Sequence, residues 1–539
     1  MAGAGVLGRA ARHLAWLCAT LGLSGAFGAL AAFNLANYRP VTNDEVELIA
    51  VGYKLATQGV LGSDLYVGFF SADRHFFITL PLQHILDALG FQLFGAGVAQ
   101  ARGVSVAAGV SIVWLVGWLA YRWYGLAAAV VCELLLVAWP LNLTAASNGL
   151  PLLGVSRMAR YDVLAVAIGW LALVMLDVAL RRPRPARVLA LGTVCGVAAL
   201  SQFTGGFVLP VVLVNWLWAR GRASGLWWII VGACLALLPL AVAAALHADD
   251  VAGQLTVYAG RGEFLRPDFY AENITQEAGR YAHLLRPINV STWMLILGVW
   301  PATAYAAWRS HRSGSVGDRV VWSSLVIFAG LLLLVDHTKS SIYAIALLPS
   351  ICLALSRLLT DVPATLWRWH RGVSLASTGV AAALIVLVLG EGQAAHQLTL
   401  EQAQQVSPYA RVGQQIEQAL TPGARVLGPE RWWWALHSHP YLSLRSVWWQ
   451  WMNAHEPAFL DGTSWPDADA VVVNDNVRDD VLHFPDFVQQ RFWGFVTTCT
   501  TRIAALDDRT YFGIQVYRVI KPSPDAQLCT RQSSVRLTD

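Results

Sequence analysis

Apolar runs of roughly twenty residues, several of them followed by a short arginine-rich break, recur from the N-terminus to about residue 390. Segments of this length and composition cross hydrocarbon, and there a backbone must satisfy its own hydrogen bonds, which continuous helices do. The first run, Leu14 to Leu35, follows Arg9, Arg12 and His13 and is longer than the apolar part of a secretory signal, so it reads as a retained signal-anchor helix with a cytoplasmic N-terminus. With 56% hydrophobic and 13% charged residues over 539 positions, the chain has too little charge to clothe a globular surface. It reads as a polytopic α-helical membrane protein. A net charge of +4, carried in small clusters between apolar runs, reports membrane topology and excludes nucleic acid as a partner. Gly3-Ala-Gly-Val-Leu-Gly8 spells a GxGxxG pattern, but no strand precedes it, so dinucleotide binding is rejected.

Assigning the arginine clusters to the cytoplasmic face orders the remaining segments. Residues 37–98 form a first external loop, whose stretch through Phe94-Gly95 is broken by Gln83, His84 and Asp87 at helical spacing and suits a helix lying in the interface. The subsequent spans deliver Tyr121-Arg122, Arg181 to Arg187, Arg220-Gly-Arg222, Arg309 to Arg319 and Arg357 to one side. Residues 247–287 then form a second long external loop, and Asp336-His-Thr-Lys339 also lies outside. The count is about eleven spans, giving a transmembrane domain over 1–391 and an extracytoplasmic α/β domain over 392–539. In that domain strands are expected at 424–428, 468–473 and 513–519, and helices at 412–420 and 481–492. Asp467-Ala-Asp469 precedes its strand and reads as a strand-entry turn. Trp432-Trp-Trp434 and Trp448-Trp449-Gln-Trp451 offer either sugar-stacking faces or membrane-interface anchors.

The chemistry-bearing residues gather at the external face. Thr42-Asn-Asp44-Glu45 follows the first span; Thr42-x-x-Glu45 is a capping box, and acidic groups favour a helix N-terminus, so Glu45 builds the helix end and Asp44 is the carboxylate left for chemistry. Asp162 heads a later span, with Arg157 and Arg160 in the loop before it. Lys339, one of only three lysines beside Lys54 and Lys521, heads another with Tyr343 one turn on. A compact ammonium where positive charge is disfavoured points to an anion at headgroup level, against the alternative of a snorkelling side chain. No His, Cys or carboxylate set has metal-ligand spacing, so no metal centre and no cofactor is expected, although the external Asp44-Glu45 pair could recruit a divalent cation. Five cysteines sit singly in apolar runs; Cys499 and Cys529, in the polar tail, are able to pair in an oxidising compartment.

Taken in order, these features resemble a family. An Asn-Asp-Glu motif after the first span, a proline-containing interfacial helix ending Leu93-Phe-Gly95, Arg102-Gly-Val-Ser105, Arg160-Tyr-Asp162, and Lys339-x-x-x-Tyr343 before Leu348-Pro349 look like GT-C glycosyltransferases of the protein-O-mannosyltransferase and aminoarabinose-transferase type. The doubled proline usual in the first external loop is here Leu80-Pro81, preceded by His75 where a lysine is common. The resemblance implies a GT-C-like bundle in a cell membrane that moves a sugar from a polyprenyl-phosphate donor to a glycan, lipid or protein acceptor outside. On that reading Asp44 is the general base of an inverting transfer, with Glu45 and Asp162 supporting it. Lys339, Arg160, Arg157 and Tyr343 hold the donor phosphate, and His75, Arg261, Arg266 and Tyr270 belong to the substrate loops. The competing class is a transporter or flippase of a lipid-linked or anionic substrate, which would place ionisable groups near the membrane midplane instead.

Overall fold

The structure is a computed structural model and describes residues 2–140, 152–220, 225–259, 266–284, 289–336, 339–367, 371–452, 468–482 and 484–520. The chain divides into two compact units, one of residues 1–33, 102–242 and 262–401, the other of residues 34–101, 243–261 and 402–539.

The first unit is helical. Among the described residues of the whole chain, eight helices are long and apolar enough to cross a membrane, from Ala10–Ala32 to the long helix that begins at Arg371. The protein is a multi-pass membrane protein. The other three expected spans correspond to helices of 13 residues (Leu126–Ala138), 17 residues (Pro185–Ser201) and 19 residues (Leu348–Leu366). At 1.5 Å per residue the shortest of them reaches only about 20 Å, less than the hydrocarbon thickness. The helix Arg371–Gln405 runs on past the expected domain boundary at 391, and the division into units falls after Glu401.

Close packing in this unit relies on missing side chains. A Cβ built on Gly192 would stand 2.0 Å from the carbonyl oxygen of Ile229, and one on Gly232 would stand 2.2 Å from that of Leu189. The helices Pro185–Ser201 and Leu226–Leu246 therefore touch backbone to backbone, which is how apolar helices gain contact where lipid is as greasy as they are. Charge inside the unit is matched locally. Buried Asp177 accepts from Arg122 Nε at 2.9 Å, Arg181 Nε at 3.0 Å and Trp123 Nε1 at 2.9 Å.

The second unit combines the first external loop with the C-terminal domain. Its sheet has the order β2-β1-β3-β5-β4, from strands β1 (Val426–Gly428), β2 (Tyr441–Ser443), β3 (Ala470–Val473), β4 (Thr500–Leu506) and β5 (Ile514–Val519). β1 runs parallel to β2 and β3, while β5 is antiparallel to β3 and β4. The three expected strands are present, and β2 and β4 are additions. Expected helices appear as Tyr409–Ala419 and Asp486–Cys499. A core of Leu427, Val471, Val473, Trp448, Phe492 and Phe495 fills one face of the sheet. The tryptophans are mostly core: Trp432 is fully buried and stacks on Tyr409 at 5.6 Å, and Trp433 and Trp448 are each 3% exposed, which withdraws these three from sugar stacking.

Two helices of the external loop carry most of its polar residues. Asn43–Gln58 has a complete capping box, with Glu45 N donating to Thr42 Oγ1 and Thr42 N donating to Glu45 Oε2 at 3.2 Å. It packs on Leu82–Phe94, where Gly52 lets Asp87 approach to within 2.7 Å of a would-be Cβ. The second helix turns its polar side inward. Gln83, His84 and Asp87 are fully buried, while Ile85, Leu89, Leu93 and Phe94 are exposed. An outward apolar face on a helix too short to span fits a position in the interface. Burial holds the His84 imidazole down to about 4 and pushes the Asp87 carboxyl well above the ordinary carboxylate range, and Asp87 accepts from Gln83 Nε2 at 2.8 Å.

Cys499 is disulfide-bonded; Cys18, Cys132, Cys195, Cys234 and Cys352 are free thiols, and Cys529 lies outside the described residues. Peptide mapping of protein purified without reductant is expected to recover Cys499 in a disulfide and Cys352 as a thiol. Recovery of Cys499 wholly as a thiol would contradict the covalent link.

Candidate functional site

In the second unit the turn carrying Asp44 is fixed by side chains nearly four hundred residues away. Thr42 caps the helix, and the amide of Asn43 accepts at Oδ1 from the Arg431 backbone N–H at 3.2 Å and from Arg431 Nε at 3.4 Å. Glu45 is fully buried in the capping box, as its spacing implied. Asp44 is instead 56% exposed at the side chain, with Oδ1 3.8 Å from Arg445 Nη1. One turn on, Glu47 binds the same Nη1 at 2.5 Å. Glu430 closes the group: its Oε1 accepts from the Arg445 backbone N–H at 3.2 Å and from the Ser443 hydroxyl.

One guanidinium thus lies among three carboxylates, and the cost of the surplus negative charge shows at the buried Glu47. Burial, opposed by Arg445 and assisted by Asp44 and Glu430, pushes the Glu47 carboxyl up to about 7. Asp44 and Glu47 differ accordingly in what they can do. Asp44 is accessible, sits at a helix N-terminus and lies near a cation, an arrangement suited to a carboxylate that takes a proton from outside. Glu47, Glu430 and Arg445 are not among the candidates from the sequence, since nothing local marks them.

In the first unit the candidate cations each have a partner. Arg157 is fully buried and donates to the carbonyls of Leu30 and Phe33 at the end of the first span. Arg160 Nε donates to Asp162 Oδ2 at 2.8 Å, both residues are buried, and the Arg160 N–H is held by Ser105 Oγ at 3.2 Å. This places Arg102-Gly-Val-Ser105 and Arg160-Tyr-Asp162 together. Lys339 Nζ binds Glu277 at 2.9 Å and the Leu333 carbonyl at 3.0 Å, and its side chain is 8% exposed. Arg280, fully buried, bridges Glu277 at 3.0 Å and Asp336 at 2.8 Å. Lys339 is therefore part of a two-cation, two-carboxylate network. Its φ of 50° puts the backbone in the left-handed region, which a non-glycine residue occupies only where its surroundings enforce it. Tyr343 meets Phe203 edge to face at 5.3 Å.

The loop candidates separate. Arg261 lies outside the described residues. Arg266 is paired with its near neighbour Asp268 on an exposed turn, and Tyr270 packs edge to face on Phe269 at 5.2 Å. His75 lies against His247 and Asp250, and among the described residues this is the one group of histidines and acids placed to share a metal ion.

No protein-family model and no curated protein sequence matches the chain. Solved structures do. The crystal structure of ArnT from Cupriavidus metallidurans bound to undecaprenyl phosphate aligns over 94% of this chain and 99% of its own, with a TM-score of 0.56 and 14% identity. Its apo form gives a TM-score of 0.55 at 16% identity over 93% of this chain and 99% of its own. The apo oligosaccharyltransferase of Archaeoglobus fulgidus covers 86% of this chain and 69% of its own, with a TM-score of 0.55 and 13% identity.

Replacing Arg445 by Met leaves Glu47 and Glu430 without their cation, and is expected to lower stability by about 2–3 kcal/mol at pH 8. The raised Glu47 pKa sets the sign with pH: below about 5 the carboxyl is neutral and needs no guanidinium, so the loss shrinks; above 7 an unpaired carboxylate stays buried. Thermal unfolding of wild type and variant at pH 5 and pH 8 checks this, and an equal loss at both would refute the raised Glu47 pKa. This chain shares the fold of the ArnT and Archaeoglobus fulgidus oligosaccharyltransferase structures.

Proposed function

We propose that this chain is an integral-membrane glycosyltransferase that moves a sugar from a polyprenyl-phosphate donor to an acceptor hydroxyl on the extracytoplasmic face, with its N-terminus in the cytoplasm. The observation that supports the reading is the likeness along nearly the whole chain to the crystal structure of ArnT bound to undecaprenyl phosphate, combined with an exposed Asp44 on a capped helix.

In the reaction Asp44 accepts the proton of the acceptor O–H, the acceptor oxygen bonds to the anomeric carbon, and the bond from that carbon to the phosphate oxygen breaks. The electron pair leaves with the polyprenyl phosphate, whose added charge is met by Lys339 and Arg160. Displacement in a single step inverts the anomeric centre. Retention would need a second, accessible carboxylate as nucleophile, and the neighbours of Asp44 are unsuited: Glu45 is consumed by the cap, and Glu47 is buried against Arg445. Arg157 serves the end of the first span in this scheme, and Asp162 orients Arg160. Lys339 reaches a phosphate by exchanging the Glu277 carboxylate for a phosphate oxygen, while Arg280 retains Glu277.

Purified protein incubated with a panel of polyprenyl-phosphate sugars is expected to release polyprenyl phosphate from one of them. Asp44→Asn should fold normally and lose at least about a hundredfold in turnover, the scale of a lost general base; near-normal turnover removes Asp44 from the chemistry. Lys339→Met should raise the KM for the lipid donor more than it lowers kcat. An unchanged KM would leave Lys339 as part of the Glu277 network alone.

A further inference from the structure

His75 and His247 stand 172 positions apart in the chain, yet their rings stack at 3.6 Å with an interplanar angle of 26°. Both turn Nδ1 toward one oxygen: Asp250 Oδ2 lies 3.2 Å from His75 Nδ1 and 3.9 Å from His247 Nδ1. All three residues belong to the same compact unit. A hydrogen bond explains the shorter of these approaches. It does not explain the longer, which exceeds hydrogen-bond range.

We propose that His75, His247 and Asp250 bind one zinc-class transition-metal ion, which pins the segment after the Leu226–Leu246 helix to the first external loop. Each residue offers one ligand atom, and these lie within 4.8 Å of one another. Around a tetrahedral ion with bonds of 2.0–2.2 Å, neighbouring ligand atoms stand about 3.4 Å apart. The separations from Asp250 fall on either side of that value, so only small side-chain rotations are required. Two imidazoles and one carboxylate suit zinc and its neighbours, whereas magnesium and calcium demand oxygen-rich sets. Side-chain exposures of 37%, 35% and 23% leave an entry path and room for water at a fourth position.

The surroundings point to a clip. His247 and Asp250 lie three residues apart at the start of the helix Ala248–Ala259, and Gln254 of the same helix already stitches it to the loop. Gln254 Oε1 accepts from the Phe77 N–H at 2.7 Å, and its Nε2 donates to the carbonyls of Phe70 at 2.9 Å and His75 at 2.7 Å. Gly253 sits so close to Phe70 that a Cβ there would come within 2.2 Å of the ring. The His75 backbone is thereby fixed from the same helix that supplies the other two ligands, a supporting shell of the kind that metal sites require. This assignment is independent of the transfer reaction and of Asp44.

The test uses full-length protein in detergent, purified without a histidine tag, stripped with chelator and dialysed against micromolar zinc or millimolar magnesium. Elemental analysis should find about one zinc per chain and no stoichiometric magnesium. His75→Ala and the near-isosteric Asp250→Asn should lose the zinc, while His437→Ala, an exposed histidine elsewhere in the unit, keeps it. Size-exclusion profiles confirm that each variant is folded. Hydrogen exchange over 70–77 and 247–254 should slow about tenfold in wild type at zinc near ten times its Kd, with no change in Asp250→Asn. Wild type without bound zinc, or Asp250→Asn with a full equivalent, overturns the assignment.

Discussion

A single guanidinium, that of Arg445, anchors the turn on which Asp44 sits. Burying a charge is costly unless it is met by an opposite one, and Arg445 meets Glu47 at 2.5 Å and Glu430 through its own backbone N–H. Glu47 belongs to the helix after the first span, Glu430 and Arg445 to the C-terminal domain. The external loop and the distal domain therefore share one electrostatic unit, reinforced by Arg431 on Asn43. The capped N-terminus of Asn43–Gln58 cannot shift without opening these contacts, and Asp44 inherits that rigidity while keeping its carboxylate exposed.

The helical unit obeys the same rule with different residues. Asp177 is surrounded by two arginines and an indole, Arg160 is matched to Asp162, and Arg280 lies between Glu277 and Asp336. Such matching is what allows polar groups into an apolar bundle, because the free energy lost on leaving water is recovered only in close pairs. Lys339 illustrates the consequence for binding. In the proposed reaction a phosphate approaching it competes with a carboxylate already 2.9 Å away, so affinity would depend on how readily Glu277 shifts to Arg280.

Much of this is legible in the order of residues. Apolar length and arginine placement announce a multi-pass bundle, the capping box at Thr42-x-x-Glu45 is local, and alternation gives three of the five strands. The hidden remainder depends on contact at long range. Glu47 and Arg445 are 398 positions apart, and His75 meets His247 only after the chain has crossed several times. Glu277 escapes notice because a glutamate in a polar loop has no signal of its own. β4 escapes because Thr500 to Leu506 follows the helix Asp486–Cys499 without a turn residue between them. The tryptophan clusters mislead in the opposite direction: a run of three indoles looks like a binding surface, but Trp432 and Trp433 are needed to fill a core.

The Arg445 cluster also bears on why such an arrangement persists. Replacing a buried ion group by apolar residues of similar volume is often neutral or stabilising, so stability alone is a weak reason to keep three carboxylates around one guanidinium. A cluster that leaves one carboxyl near 7 and its neighbour exposed, one helical turn away, does supply something an apolar core lacks. It provides a carboxyl of raised pKa next to a solvent-facing carboxylate, with a fixed cation beside both. Perturbed acids of this kind gather where proton transfer is required. On the proposed reaction, Asp44, which faces outward, takes the substrate proton, while Glu47 stays enclosed against Arg445.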